Sequence, residues 1–430
     1  MSPGEVRLVA PSRVRGVARV PGDKSISHRG LLLAALADGQ SILRHRAPGE
    51  DQESMVRCLR QLGVELTESG ADTTITGRGL RGLRQPGADL DCGNSGNTMR
   101  FLTGALAATP GVVSRLVGDA SLSHRPMLRV AAPLRVLGAK VEPAAGGTAP
   151  IQVTGMRLRG GSVTIDVPSA QVKTAVLLAA LQADGVTAVA EPVLTRDHTE
   201  RLLRLLGVDI RVDKAITIQP PPRLEPFDLQ VPGDPSSAAF FAVLATVHPD
   251  ARLTIPGVCL NPTRTGFLEV LARMGATIRI ENQRQEAGEL VGDLEVSSSA
   301  LRGVEVAEWE IPTLVDEVPV LAVAACLAAG PTRFCGLGEL RHKEVDRVAA
   351  VQAQLESLGA HVTVDGDDLI VEGSARLAGA RVSSLGDHRM AMALAVASAC
   401  AKGVTVVTGA DAAAVSYPGF FADLAAVCGD

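Results

Sequence analysis

Aromatic side chains are scarce in this 430-residue chain, which has 8 Phe, 1 Trp and 1 Tyr, or 2% of its residues. So few rings leave little from which to build stacking platforms for bases or sugars, and recognition must rest on ions and hydrogen bonds. The seven cysteines (Cys58, Cys92, Cys259, Cys326, Cys335, Cys400, Cys428) are odd in number, widely spaced and without a Cys-x-x-Cys pair. That pattern argues against a disulfide framework and against a cysteine metal site. The 8 histidines hold no His-Glu-x-x-His pattern, so no metal is expected. No apolar run reaches the roughly 18 residues of a membrane span, and Met1 to Glu5 show no basic stretch leading into an apolar one. Charge of one sign is missing too: 42 Lys and Arg against 47 Asp and Glu give a net charge of -5, with the cations scattered. Neither nucleic acid nor a membrane surface is an expected partner. The composition reads as a cytoplasmic protein of two or three domains.

What is present is a repeat. Leu-Gly followed by alternating apolar residues recurs at Gly63, Gly138, Gly207, Gly275 (after Met274) and Gly359, with a degenerate copy at Cys428-Gly429. Positions 8, 4 and 1 before these glycines are mostly apolar, as in Phe267, Leu271 and Met274, which is one face of a helix capped by the glycine. A second, more apolar helix opens each unit: Ser27 to Ala37, Thr98 to Ala108, Ala170 to Ala183, Ser236 to Val247, Val318 to Ala329 and Met390 to Ala401. Six α/β units in two groups of three follow, each reading helix, strand, helix, strand, turn, strand.

Val-Pro-Gly-Asp occurs at Val20 to Asp23 and again at Val231 to Asp234, marking the join between the halves. The strand-like Val6 to Val9 and Val14 to Val20 have no helix before them, and the sixth unit runs out at Asp430, so the N-terminus is expected to complete the last unit. The expected domains are 21–231, and 1–20 joined to 232–430, with two crossover segments acting as a hinge. The other arrangement is two sequential domains behind an N-terminal arm.

The polar residues fall at equivalent places in the repeat. The apolar helices begin with Asp23-Lys24-Ser25, Gly93-Asn94-Ser95-Gly96-Asn97, Pro168-Ser169-Ala170-Gln171, Asp234-Pro235-Ser236-Ser237, Asp316-Glu317 and Asp387-His388-Arg389. Free N–H groups and a partial positive charge make a helix N-terminus an anion site. Ordinary N-capping explains Ser236-Ser237 best. Capping does not explain the cations beside these caps, Lys24, Arg29, Arg100 and Arg389, nor the loop residues Arg125, Arg196, Lys343 and Arg347; a pocket for several anionic groups does. For Arg100 and Arg196 surface ion pairs remain open. Asp316 and Glu344 lie among these cations as candidate proton acceptors, although the run Arg341 to Arg347 also reads as a solvated helix face.

Two of these segments carry a resemblance. Pro21-Gly22-Asp23-Lys24-Ser25-Ile26-Ser27-His28-Arg29 and Asp387-His388-Arg389-Met390-Ala391-Met392 resemble signatures of the EPSP synthase family of enolpyruvyl transferases, and the other segments follow in the family's order. The resemblance implies a two-domain inverse α/β barrel of six βαβαββ repeats, three per domain. It implies transfer of the enolpyruvyl group of phosphoenolpyruvate to the 5-hydroxyl of shikimate 3-phosphate, without metal or organic cofactor, by a monomer. Lys24, Ser25, Arg29, Ser169, Ala170, Gln171, Arg196, Asp316 and Lys343 would hold shikimate 3-phosphate. Lys24, Gly96, Arg125, Gln171, Arg347 and Arg389 would hold phosphoenolpyruvate. Asp316 is the implied base on the 5-hydroxyl, Glu344 and Lys24 the implied pair at the methylene carbon, and His388 an assistant.

Asn97, Thr98 and Phe101 depart from the glyphosate-sensitive branch, and Val415 stands where that branch has a lysine. The rival readings are a UDP-N-acetylglucosamine enolpyruvyl transferase, which would need a loop cysteine in a stretch that has none between Cys92 and Cys259, and a non-enzymatic polyanion-binding repeat protein.

Overall fold

The computed structural model describes residues 4–429; Met1 to Pro3 and Asp430, the outer ends of the expected N-terminal arm and sixth repeat, lie outside them. Twelve α-helices run along the described residues: α1 (Lys24–Ala35), α2 (Glu50–Gln61), α3 (Gly96–Ala107), α4 (Leu128–Val136), α5 (Ala170–Ala180), α6 (His198–Leu205), α7 (Pro235–Val247), α8 (Gly266–Met274), α9 (Val318–Leu327), α10 (Arg347–Ser357), α11 (His388–Ser398) and α12 (Phe420–Val427). Odd-numbered helices are apolar almost all round and buried; in α9 every residue from Val318 to Cys326 is enclosed. Even-numbered helices bury one stripe, as α8 does with Phe267, Val270, Leu271 and Met274. Gly63, Gly138, Gly207, Gly275 and Gly359 follow α2, α4, α6, α8 and α10 with φ of 84°, 89°, 76°, 101° and 91°. That left-handed turn is what the recurring glycine supplies.

The starts of α1, α3 and α11 lie two to three residues earlier than Ser27, Thr98 and Met390, because a polar cap precedes the apolar stretch. Asp23 Oδ1 accepts from the Ile26 amide at 2.7 Å, Ser95 Oγ from Thr98 at 3.2 Å, and Asp387 Oδ1 from Arg389 and Met390 at 2.8 and 3.2 Å. Lys24, Gly96, His388 and Arg389 are thereby carried in first helical turns.

Six sheets accompany the helices among the described residues. The first has the order Asp228–Gln230, Gln40–Arg44, Asp72–Thr76, Glu65–Ser69, one parallel pair followed by two antiparallel ones. The second, third and fifth repeat that order, taking their parallel strand from the chain just before α3, α5 and α9. The N-terminus departs from the expectation that it completes the last unit. Glu5–Val9 does join the sixth sheet, Val6 opposite Val407, but Val14–Val17 lies parallel to Ala251–Cys259 in the fourth. That place is open because the strand leading into α7, Asp228–Gln230, is spent on the first sheet.

The chain forms two compact units, one of Gly22–Val231 with Glu286–Glu289, the other of the residues up to Pro21 with Pro232–Gln285 and Leu290 onward. The breaks at 21/22 and 231/232 fall inside the two Val-Pro-Gly-Asp copies. In the second unit α7, α9 and α11 pack on one another, and Phe240, Phe241, Leu321, Leu394 and Phe420 share its core. No helix among the described residues is long and apolar enough to cross a membrane.

Candidate active site

In the first unit the N-termini of α1, α3 and α5 gather the polar residues. Lys24 opens α1 and its Nζ lies 2.9 Å from Asp51 Oδ2. Arg29, one turn on, is 3% exposed: Nε donates to Thr199 Oγ1 at 2.7 Å, Nη2 to Thr174 Oγ1 at 2.7 Å and Nη1 to the Ser25 carbonyl at 2.9 Å, over the Phe101 ring. These bonds fix the guanidinium from three elements, a geometry suited to a phosphate or carboxylate. His28 lies behind them, its Nδ1–H donating to the Lys24 carbonyl at 2.9 Å and its Nε2 3.3 Å from Ser95 Oγ. Burial pushes its pKa down to about 4, so the ring is neutral.

Gly96 on α3, Arg125 after the 3-10 turn Leu122–His124 and Gln171 on α5 come together. A Cβ on Gly96 would stand 2.8 Å from Arg100 Nη1, 3.2 Å from Arg125 Nη1 and 3.7 Å from Gln171 Oε1. Gln171 Nε2 donates to Asn97 Oδ1 at 2.7 Å, Arg100 Nη1 donates to Gln171 Oε1, and Arg125 Nη2 donates to Asn94 Oδ1 at 3.1 Å. Arg100 is therefore no surface ion pair; it is 7% exposed and braces Gln171. Ser169 caps α5 through the Val172 amide at 3.4 Å, with Ala170 next in the chain. Arg196 is half-buried in the loop before α6.

The second unit centres on Arg347, 1% exposed at the start of α10. Its Nε lies 2.8 Å from Asp387 Oδ2, Nη1 3.2 Å from Asp316 Oδ1 and Nη2 2.6 Å from Glu344 Oε2. Burial alone would push the guanidinium down, but Asp387, Glu344 and Asp316 hold it well above its ordinary value. Asp316 also lies 3.7 Å from Lys343 Nζ and 3.4 Å from Arg389 Nη2. His388 is buried beside Arg389 in the first turn of α11. The run from Arg341 is not a helix face: a 3-10 turn ends at His342, and Asp346 caps α10 through the Val348 and Ala349 amides, both at 3.1 Å.

Sequence reasoning missed three partners. Asp51 and Asp387 hold Lys24 and Arg347 from 27 and 40 residues away, a distance no local pattern signals. Ser236 is not a cap, since Asp234 caps α7; its Oγ donates to Glu317 and accepts from Arg264 Nη2 at 2.9 Å. Glu317 in turn lies 3.8 Å from Arg389, so a buried chain of polar groups runs from Arg264 to Asp316. The first unit thus presents clustered cations, and the second carboxylates interleaved with cations.

Residues 8–424 match the family model described as EPSP synthase (3-phosphoshikimate 1-carboxyvinyltransferase). The chain belongs to the EPSP synthase family. The 3-phosphoshikimate 1-carboxyvinyltransferase of Gloeobacter violaceus is 49% identical over 429 residues, 99% of each chain, and that of Chloroflexus aurantiacus is 49% identical over 429 residues, 98% of each. Among solved structures, the EPSP synthase from Acinetobacter baumannii superposes with a TM-score of 0.87 at 38% identity, covering 99% of this chain and 98% of its own. The enolpyruvyl transferase NikO from Streptomyces tendae, at a TM-score of 0.78 and 21% identity over 99% and 97%, shares the fold. The EPSP synthase fold, two inverse α/β barrels of three repeats each, is the fold of this chain. Neither rival reading is favoured by these likenesses.

Proposed function

We propose that the residue clusters described above carry the EPSP synthase reaction. The enzyme moves the enolpyruvyl group of phosphoenolpyruvate to the 5-hydroxyl of shikimate 3-phosphate, in the shikimate pathway to the aromatic amino acids. Addition requires the 5-hydroxyl oxygen to bond to C2 of phosphoenolpyruvate as its proton leaves and another reaches the C3 methylene. Elimination then takes a proton back from C3 as phosphate departs, giving 5-enolpyruvylshikimate 3-phosphate.

Two proton sites and several anion sites are needed. Asp316 is the proposed base on the 5-hydroxyl, and Glu344, with Lys24, the group that serves C3; His388 assists. The observation that carries this reading is the placement of Asp316 and Glu344 on two nitrogens of one buried guanidinium, Arg347, at 3.2 and 2.6 Å. Two carboxylates held apart by one fixed cation can take separate protons. Ser25, Arg29, Ser169, Ala170, Gln171, Arg196 and Lys343, with Lys24 and Asp316, are proposed to hold shikimate 3-phosphate. Gly96, Arg125, Gln171, Arg347 and Arg389, with Lys24, are proposed to hold phosphoenolpyruvate, their cations meeting charge on the departing phosphate.

The test is phosphate release from phosphoenolpyruvate by purified protein with chelator present, offering shikimate 3-phosphate or UDP-N-acetylglucosamine. Release with shikimate 3-phosphate alone is expected; release only with the nucleotide sugar overturns the acceptor assignment, and release with neither overturns the reaction.

A further inference from the structure

Lys173 lies in the first turn of α5, two residues beyond Gln171, and is 1% exposed. Its Nζ is 2.9 Å from Glu191 Oε1, 2.8 Å from Glu200 Oε1 and 3.3 Å from the carbonyl of Thr195. An ammonium has three donors, and these three acceptors match them, so Lys173 acts inside the fold and not on a substrate. The other oxygen of Glu191 accepts from Thr195 Oγ1 at 2.7 Å. Thr195 is thus held by both its carbonyl and its hydroxyl, and the next residue is Arg196.

At the far end of that stretch Asp197 Oδ2 accepts from Arg201 Nε at 2.8 Å. Val193 and Leu194 are 42% and 74% exposed, so the segment between Glu191 and α6 has few apolar contacts to order it. Beyond it, Thr199 is tied to Arg29 and Thr174, and Glu200 returns to Lys173. Burial pushes the Glu200 carboxyl up while Lys173 pulls it down, the balance of an ion pair closed to water.

We propose that Lys173, through Glu191 and Thr195, is a positioning residue that sets Arg196 for a phosphate monoester dianion. The proposal rests on the reading that Arg196 binds the phosphate of shikimate 3-phosphate, and deepens it by naming what aims that guanidinium. Replacing Lys173 would strand two buried carboxylates and risk the fold, so the test acts at the periphery of the brace. Steady-state kinetics are measured for Glu191→Ala, Arg196→Ala, their double variant and Thr195→Val, which deletes one hydroxyl and leaves both ion pairs.

Displacement of a binding group without its loss costs up to about a hundredfold. Glu191→Ala is expected to raise KM for shikimate 3-phosphate about tenfold, leaving kcat and the KM for phosphoenolpyruvate within about twofold. Thr195→Val should move the same constant about threefold. In the Arg196→Ala background, Glu191→Ala should add nothing. Additive losses across that cycle, equal changes in both KM values, or an unchanged constant in Thr195→Val overturns the positioning role. An unchanged KM for shikimate 3-phosphate in Arg196→Ala alone overturns instead the binding assignment on which the proposal stands.

Discussion

Arg347 and Asp387 form an ion pair closed to solvent, Nε to Oδ2 at 2.8 Å with side chains 1% and 0% exposed. The same carboxylate caps α11, so one residue sets both a helix start and the guanidinium between Asp316 and Glu344. Asp387→Ala is expected to lower the free energy of unfolding by roughly 3 kcal/mol, read from urea denaturation. A loss under about 1 kcal/mol would mean that Asp316 and Glu344 alone neutralise Arg347.

Asp316 and Glu344, two of the three carboxylates beside Arg347, have separate proton tasks in the proposed reaction. Asp316→Asn and Glu344→Gln keep the volume and remove the proton acceptor. Each should lower kcat about a hundredfold or more while binding of shikimate 3-phosphate stays measurable by calorimetry. Near-normal turnover in either variant removes that residue from its role.

Gly96 faces Arg100, Arg125 and Gln171 with no side chain of its own. The nearest atoms to an added methyl are the ends of two arginines, which can swing, so Gly96→Ala should fold normally. The displaced guanidiniums should raise KM for phosphoenolpyruvate about tenfold and leave that for shikimate 3-phosphate within about twofold. Equal effects on both constants would take Gly96 out of the phosphoenolpyruvate site.

His28 gives a pH prediction. Its pKa falls from 6.5 to about 4 on folding, burial being the main cause. The folded state keeps it neutral where the unfolded chain takes up a proton, so its contribution is whole above pH 6.5, is lost as pH falls towards 4, and changes no further below. The loss is on the order of 3 kcal/mol at 1.36 kcal/mol per pKa unit. Urea unfolding of the wild type and of His28→Gln across this window should show the extra slope in the wild type alone; parallel curves would place the histidine in contact with water.

Legibility in the sequence followed the range of the interaction. The repeat was plain because Gly275 and its equivalents, and stripes such as Phe267, Leu271 and Met274, express local geometry at fixed spacing. At α1, α3 and α11 the apolar periodicity begins later than the helix, only after the polar cap and first residues. The site's cations stood out at Lys24, Arg29 and Arg389 because they sit unfavourably near helix N-termini. Asp51, which pairs with Lys24, Asp387, which pairs with Arg347, and Arg264, which meets Asp234 and Ser236, did not, because their importance arises only from tertiary contact. Ser236 reads as a cap and is not one, because a serine at a helix start has the same local sequence whether it caps or bridges two buried charges.

The exchange of parallel strands between the first and fourth sheets makes chain order and spatial order disagree. A fragment ending at Val231 would hold nearly all of one unit plus Glu5–Val9 and Val14–Val17 with no host, while the remainder would have two sheets each short of a strand. A circular permutant that opens between Val231 and Pro232 and links the old termini would make nearly all of each unit one uninterrupted stretch. The natural connectivity instead splits the second unit around the first, so nearly all of the first unit is synthesised before the bulk of the second.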